Sequence, residues 1–110
     1  MENDFFKITR GQNVVLDFSP STEQGTTNIT GWTLAFNVSR QPGQTVVLGP
    51  LTPTVTSAAN GEYEVELSAA QTASLSVGRY YWDVWRTDSG DEDPIATGMI
   101  EVVSGVRLPA

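Results

Sequence analysis

Between Glu62 and Leu67 the chain alternates without a break: Tyr63, Val65 and Leu67 fall on one face of an extended segment, and Glu62, Glu64 and Glu66 on the other. Successive side chains of a strand point to opposite sides of the pleat, so a period of two marks a strand with one buried face. The pattern recurs along the chain. Val14, Leu16 and Phe18 alternate with Val15 and Asp17, and Trp32, Leu34, Phe36 and Val38 alternate with Thr33, Ala35, Asn37 and Ser39. Over 78–87, if Tyr80, Trp82 and Val84 face a core, Arg79, Tyr81, Asp83 and Trp85 turn outward. Shorter β-prone segments at 5–9, 45–52 and 94–103 bring the set to about seven strands. Pro50 interrupts the 45–52 segment and argues for an edge or a bulge, because proline cannot donate to a strand ladder. The stretch Thr54–Ser57 reads as an extension of that weak strand.

The punctuation between these segments agrees. Gln41-Pro42-Gly43 is a type II turn signal, and Asn60-Gly61 marks a tight turn before the alternating strand. Residues 19–30 are polar, carry Pro20 and Gly25, and read as a loop. Ser68 followed three residues later by Gln71 is a helix-start signature, and the short helical turn it opens lies near residues 68–74, ending before Gly78. Many short strands separated by turn residues predict an all-β sandwich or small barrel.

With 110 residues, one domain is the natural reading, spanning 1–110 with its core at about 5–103, a short N-terminal arm and a C-terminal tail. The sequence holds no cysteine and no histidine. That removes disulfides, nucleophilic dyads built on histidine, and zinc sites with nitrogen or sulfur ligands. No catalytic, cofactor-binding or metal-binding set emerges, and the expectation is a protein that is not an enzyme and holds no cofactor. The net charge is −7, and the six basic residues are scattered, so neither nucleic acid nor an anionic membrane is an expected partner. The acidic N-terminus does not read as a signal peptide, and no apolar run approaches the roughly 20 residues of a membrane helix. The loop 88–93 concentrates four carboxylates, but its spacing does not match a helix-flanked calcium loop, and a solvated hairpin tip is expected.

Tyr80 follows a glycine-containing corner, the place where immunoglobulin-like sandwiches carry a tyrosine bonded to nearby backbone. Trp82 then takes a core position, with Trp32 as its expected packing partner across the sandwich. The series Thr30-Gly31-Trp32-Thr33-Leu34, Asn60-Gly61, Leu67-Ser68-Ala69-Ala70-Gln71-Thr72, Gly78-Arg79-Tyr80-Tyr81-Trp82-Asp83-Val84 and Gly98-Met99-Ile100-Glu101-Val102 resembles the immunoglobulin-like domain of phage baseplate upper proteins and related small phage virion proteins. The resemblance runs from about Phe5 to Val103. It implies an immunoglobulin-like β-sandwich serving as an assembly module in a tail, a baseplate or a capsid surface, made in the host cytoplasm and carried in the virion. It implies no catalytic residues. The expected partners are other virion proteins and copies of the chain itself.

Aromatic and arginine side chains are enriched at protein interfaces. On that ground Arg79, Tyr81 and Trp85 on the outward face are interface candidates, together with Phe5, Phe6, Arg107 and Leu108 near the termini. Two adjacent phenylalanines of an extended segment cannot both face one core, so one of Phe5 and Phe6 is expected to dock on a neighbour. The alternative reading is a carbohydrate-binding or adhesion module in which Tyr81 and Trp85 stack on a glycan.

Overall fold

A computed structural model describes residues 2–18, 28–88, 90 and 92–105. Among these described residues, eight strands form two sheets: β1 (Glu2–Thr9), β2 (Val14–Phe18), β3 (Leu34–Ser39), β4 (Val46–Leu51), β5 (Thr54–Ser57), β6 (Glu62–Leu67), β7 (Gly78–Arg86) and β8 (Asp93–Val103), with one helical turn, α1 (Ala69–Ala73), between β6 and β7. The larger sheet has the order β1-β8-β7-β3-β4 and the smaller β2-β6-β5. The result is an all-β sandwich.

In β2, β3, β6 and β7 the inward residues are those the alternation singles out, and β8 adds Ile100 and Val102. Leu16 and Phe18 from β2 and Tyr63, Val65 and Leu67 from β6 meet Phe36, Val38, Tyr80, Trp82, Val84, Ile100 and Val102 from the other sheet, all buried. Trp82 sits among aromatic rings, with centroids 5.1 Å from Phe18, 5.7 Å from Phe6 and 6.0 Å from Phe36. Phe18 stacks on Tyr63 at 4.9 Å. Rings at such separations add about 0.5–1.5 kcal/mol per pair beyond the area they bury.

Several local expectations hold at atomic detail. The Tyr80 hydroxyl donates to the Ser76 carbonyl at 2.9 Å, closing the corner before β7. The Ser68 Oγ accepts from the Gln71 N–H at 3.1 Å, and the Gln71 Oε1 accepts from the Ser68 N–H at 2.8 Å. This reciprocal pair satisfies two backbone donors that a helix start leaves open. At the β3–β4 turn the Gln44 N–H donates to the Gln41 carbonyl at 3.2 Å, with Gly43 at φ 80°, the value a type II turn demands at its third position.

Other expectations change. Thr54–Ser57 does not extend β4. It forms β5, which crosses to the smaller sheet and pairs with β6. Buried Pro53 lies between the two strands, where it cannot donate to a continuing ladder. The strand expected at 5–9 begins earlier: β1 starts at Glu2 and runs parallel to β8 through Thr9↔Val103. That pairing turns Phe6 inward, against Phe18 at 5.6 Å and Trp82, so Phe6 packs half-buried against the core and Phe5 is the exposed one of the pair. Trp32 precedes β3 and is only half-buried. β3 neighbours β7 in one sheet, with Val38 opposite Trp82, so the ring facing Trp82 across the sandwich is Phe18.

One end of the smaller sheet is also stitched to its surroundings. The Arg10 guanidinium donates to the Leu75 and Ala73 carbonyls, both at 2.7 Å, and the buried Thr72 hydroxyl donates to the Gln12 carbonyl at 2.8 Å. The corner between β1 and β2 is thereby locked to α1.

Candidate functional site

Pairing registers place the outward side chains of the larger sheet in rows. Phe5, Met99, Tyr81, Ser39 and Val46 follow one another across all five strands. The next row holds Lys7, Glu101 and Arg79. On the other side of the first row lie Thr97, Asp83 and Asn37. Phe5 is 53% exposed and Val46 42%, while Tyr81 and Met99 are half-buried by their neighbours.

The expected candidates divide as follows. Phe5, Arg79, Tyr81 and Trp85 share this face, as alternation requires. Trp85 is half-buried, and its Nε1 donates to the Asp83 Oδ2 at 3.0 Å, while the Asp83 Oδ1 accepts from the Asn37 Nδ2 at 3.2 Å. The polar edge of the indole is therefore engaged within the sheet. Arg107 and Leu108 lie outside the described residues. Lys7, Val46 and Met99 join the face without having been singled out in the sequence. Their neighbourhood depends on strand order and register, and a one-residue slip would exchange every one of them for the opposite face.

Beside Tyr81 the β3–β4 turn overhangs the sheet. It encloses a groove of about 350 Å³ lined in part by Asn37, Ser39, Gln44, Val46 and Tyr81. A more open basin of about 470 Å³ adjoins it, bounded by Arg40, Gln41, Pro42, Arg79 and Tyr81. The Arg40 guanidinium stands 4.5 Å from the centre of the Tyr80 ring, a cation–π contact that holds it at the end of the sheet. Two arginines thus flank one aromatic at the mouth of a concavity.

The outward face of the smaller sheet has the opposite character. Asp17 stands directly across from Glu64, and exposed Val15 across from Glu66. Like charges directly opposite one another on adjacent strands destabilise the pair. Among the described residues no group of three or more acidic side chains has the geometry to hold a metal ion, and no helix is long and apolar enough to cross a membrane.

The acidic hairpin contributes to structure through Asp88. Its Oδ2 accepts from the Thr33 N–H and from the Arg86 Nε, both at 2.9 Å, and the Arg86 guanidinium stacks 4.3 Å over the Trp32 ring. The backbone N–H of Thr33, with Arg86 second, holds the Asp88 carboxyl below its ordinary value of 3.8. A lowered folded-state value means that its contribution to stability is present above the unfolded-state value and is lost as pH falls through the folded one. Urea midpoints of the natural chain and Asp88→Asn should differ at neutral pH and converge as the pH is taken below 3.8. A gap that stays constant into acid would exclude this role.

No family model and no curated protein matches the chain. Among solved structures its fold is similar to the N-terminal domain of phage TP901-1 ORF48, with a TM-score of 0.61 at 17% sequence identity, covering 93% of this chain and 88% of that one. At this identity the likeness is one of fold.

Proposed function

We propose that this chain is a structural component of a bacteriophage particle, placed in a tail, a baseplate or a capsid surface, and that it works through protein–protein contacts without catalysing a reaction. The observation that carries the reading is the fold likeness to a phage protein domain over nearly the whole of both chains. Strand order supports its finer form. The β2-β6-β5 sheet packed on β3, β7 and β8 follows the arrangement of immunoglobulin sandwiches, and the Tyr80–Ser76 bond sits where those domains carry their corner tyrosine. A chain without histidine or cysteine suits a part whose role is shape and contact. Made in the host cytoplasm, it would enter the virion during assembly, and its many copies would turn weak single contacts into firm attachment.

The test is fractionation of lysates from cells that produce the protein. Density-gradient particles probed with an antibody to this chain should carry it at a fixed ratio to the major capsid protein, through a high-salt wash. Recovery only in the soluble fraction would reject the reading.

A further inference from the structure

The two outward faces of the sandwich differ in charge in a way that the net value of −7 conceals. Three of the chain's six basic residues, Lys7, Arg40 and Arg79, gather at one end of the larger sheet, Lys7 and Arg79 on either side of Glu101 and Arg40 with Arg79 lining the basin beside Tyr81, so that three cationic side chains outnumber the one carboxylate between them. Asp17, Glu64 and Glu66 occupy the outward face of the smaller sheet, on the opposite side of the molecule. Each face also carries exposed apolar surface, Phe5 and Val46 on the first and Val15 on the second. Both halves of a complementary pair are therefore present on one polypeptide.

We infer that copies of this chain dock head to tail, the basic and aromatic face of one larger sheet receiving the carboxylate face of the next copy's smaller sheet. The inference rests on the reading of the chain as an assembly component. The occupant is a second copy because its carboxylate face supplies the charge that Lys7, Arg40 and Arg79 would meet. The opposed Asp17 and Glu64 are costly in the free chain, and a cationic neighbour relieves that cost. Phe5 and Tyr81 give the contact a large apolar centre with charged groups at its rim, the composition of a specific interface. Because the two surfaces differ, the contact is heterologous, and repetition gives a ring where the rotation closes and a filament where it does not.

Sedimentation velocity on the full chain tests this. Mass should rise with protein concentration at low salt and fall back as salt screens the pairs. Lys7→Glu with Arg79→Glu, and separately Glu64→Lys with Glu66→Lys, should each weaken self-association at least about tenfold, and mixing the two variants should restore it. Lys7 is the chain's one lysine, so zero-length carbodiimide coupling of the unmodified protein gives a second readout that needs no variant. Dimers joined from Lys7 to Asp17, Glu64 or Glu66 are expected. A natural chain that stays monomeric at every concentration and salt overturns the inference. So does a Glu64→Lys, Glu66→Lys variant that associates as well as the natural chain, since the basic face would then be meeting itself. Neither result touches the particle fractionation, which fails or succeeds independently.

Discussion

Trp82→Ala should destabilise the fold by about 3–5 kcal/mol, the range for removing a buried aromatic from a core that relaxes only partly around the gap. Trp82 is 1% exposed and contacts rings from three other strands: Phe6 of β1, Phe18 of β2 and Phe36 of β3. Its loss therefore weakens the joint between the two sheets and also the seating of the N-terminal strand. A domain of this kind has about 5–15 kcal/mol of total stability, so the variant would lie near the edge of folding at ambient temperature. Urea unfolding followed by far-UV circular dichroism should show the midpoint falling steeply with little change in slope. Trp82→Phe keeps a ring in the cluster and should recover a large part of the loss. A cost under about 1 kcal/mol for the alanine variant would mean that the aromatic cluster is not the centre of the core.

Arg10→Ala should cost about 1.5–3 kcal/mol, the worth of hydrogen bonds to a charged group. The guanidinium joins distant parts of the chain: it leaves the end of β1 and reaches the Ala73 and Leu75 carbonyls, more than sixty residues away in the sequence. Those carbonyls belong to the last turn of α1 and its exit, where acceptors have no partner inside the helix and a cation is favoured. Arg10→Lys retains the charge but not the two-pronged donor geometry, and should recover less than half of the loss. Thermal unfolding of the three proteins would order them natural, lysine, alanine. Equal stability of the lysine and natural chains would show that charge alone acts at this corner.

Arg10 also marks a limit of what sequence can reveal. Nothing local to Thr9-Arg10-Gly11 distinguishes it from the other basic residues, and its acceptors lie in a distant corner. Thr72 is a similar case. It reads as a polar residue of a short helix, yet it is buried with its hydroxyl bonded to the Gln12 carbonyl. By contrast, the Ser68–Gln71 cap, the Pro42-Gly43 turn and the Tyr80 corner were legible because each is completed within four residues. The division of Phe5 from Phe6 was half legible. Alternation demands that one face outward, but only the register of β1 on β8 decides which.

The period-two pattern in β2, β3, β6 and β7 determined by itself that these segments are half-buried strands and which of their side chains face the core, because burial of one strand face is a property of each strand taken alone. The candidate surface is a different kind of object. The row from Phe5 through Met99 and Tyr81 to Val46, and the gathering of Lys7, Arg40 and Arg79 at one end, exist only once strands far apart in the chain lie side by side. Tertiary structure alone decided them, since neighbours across a sheet are set by pairing order and register, and neither is written in any single segment.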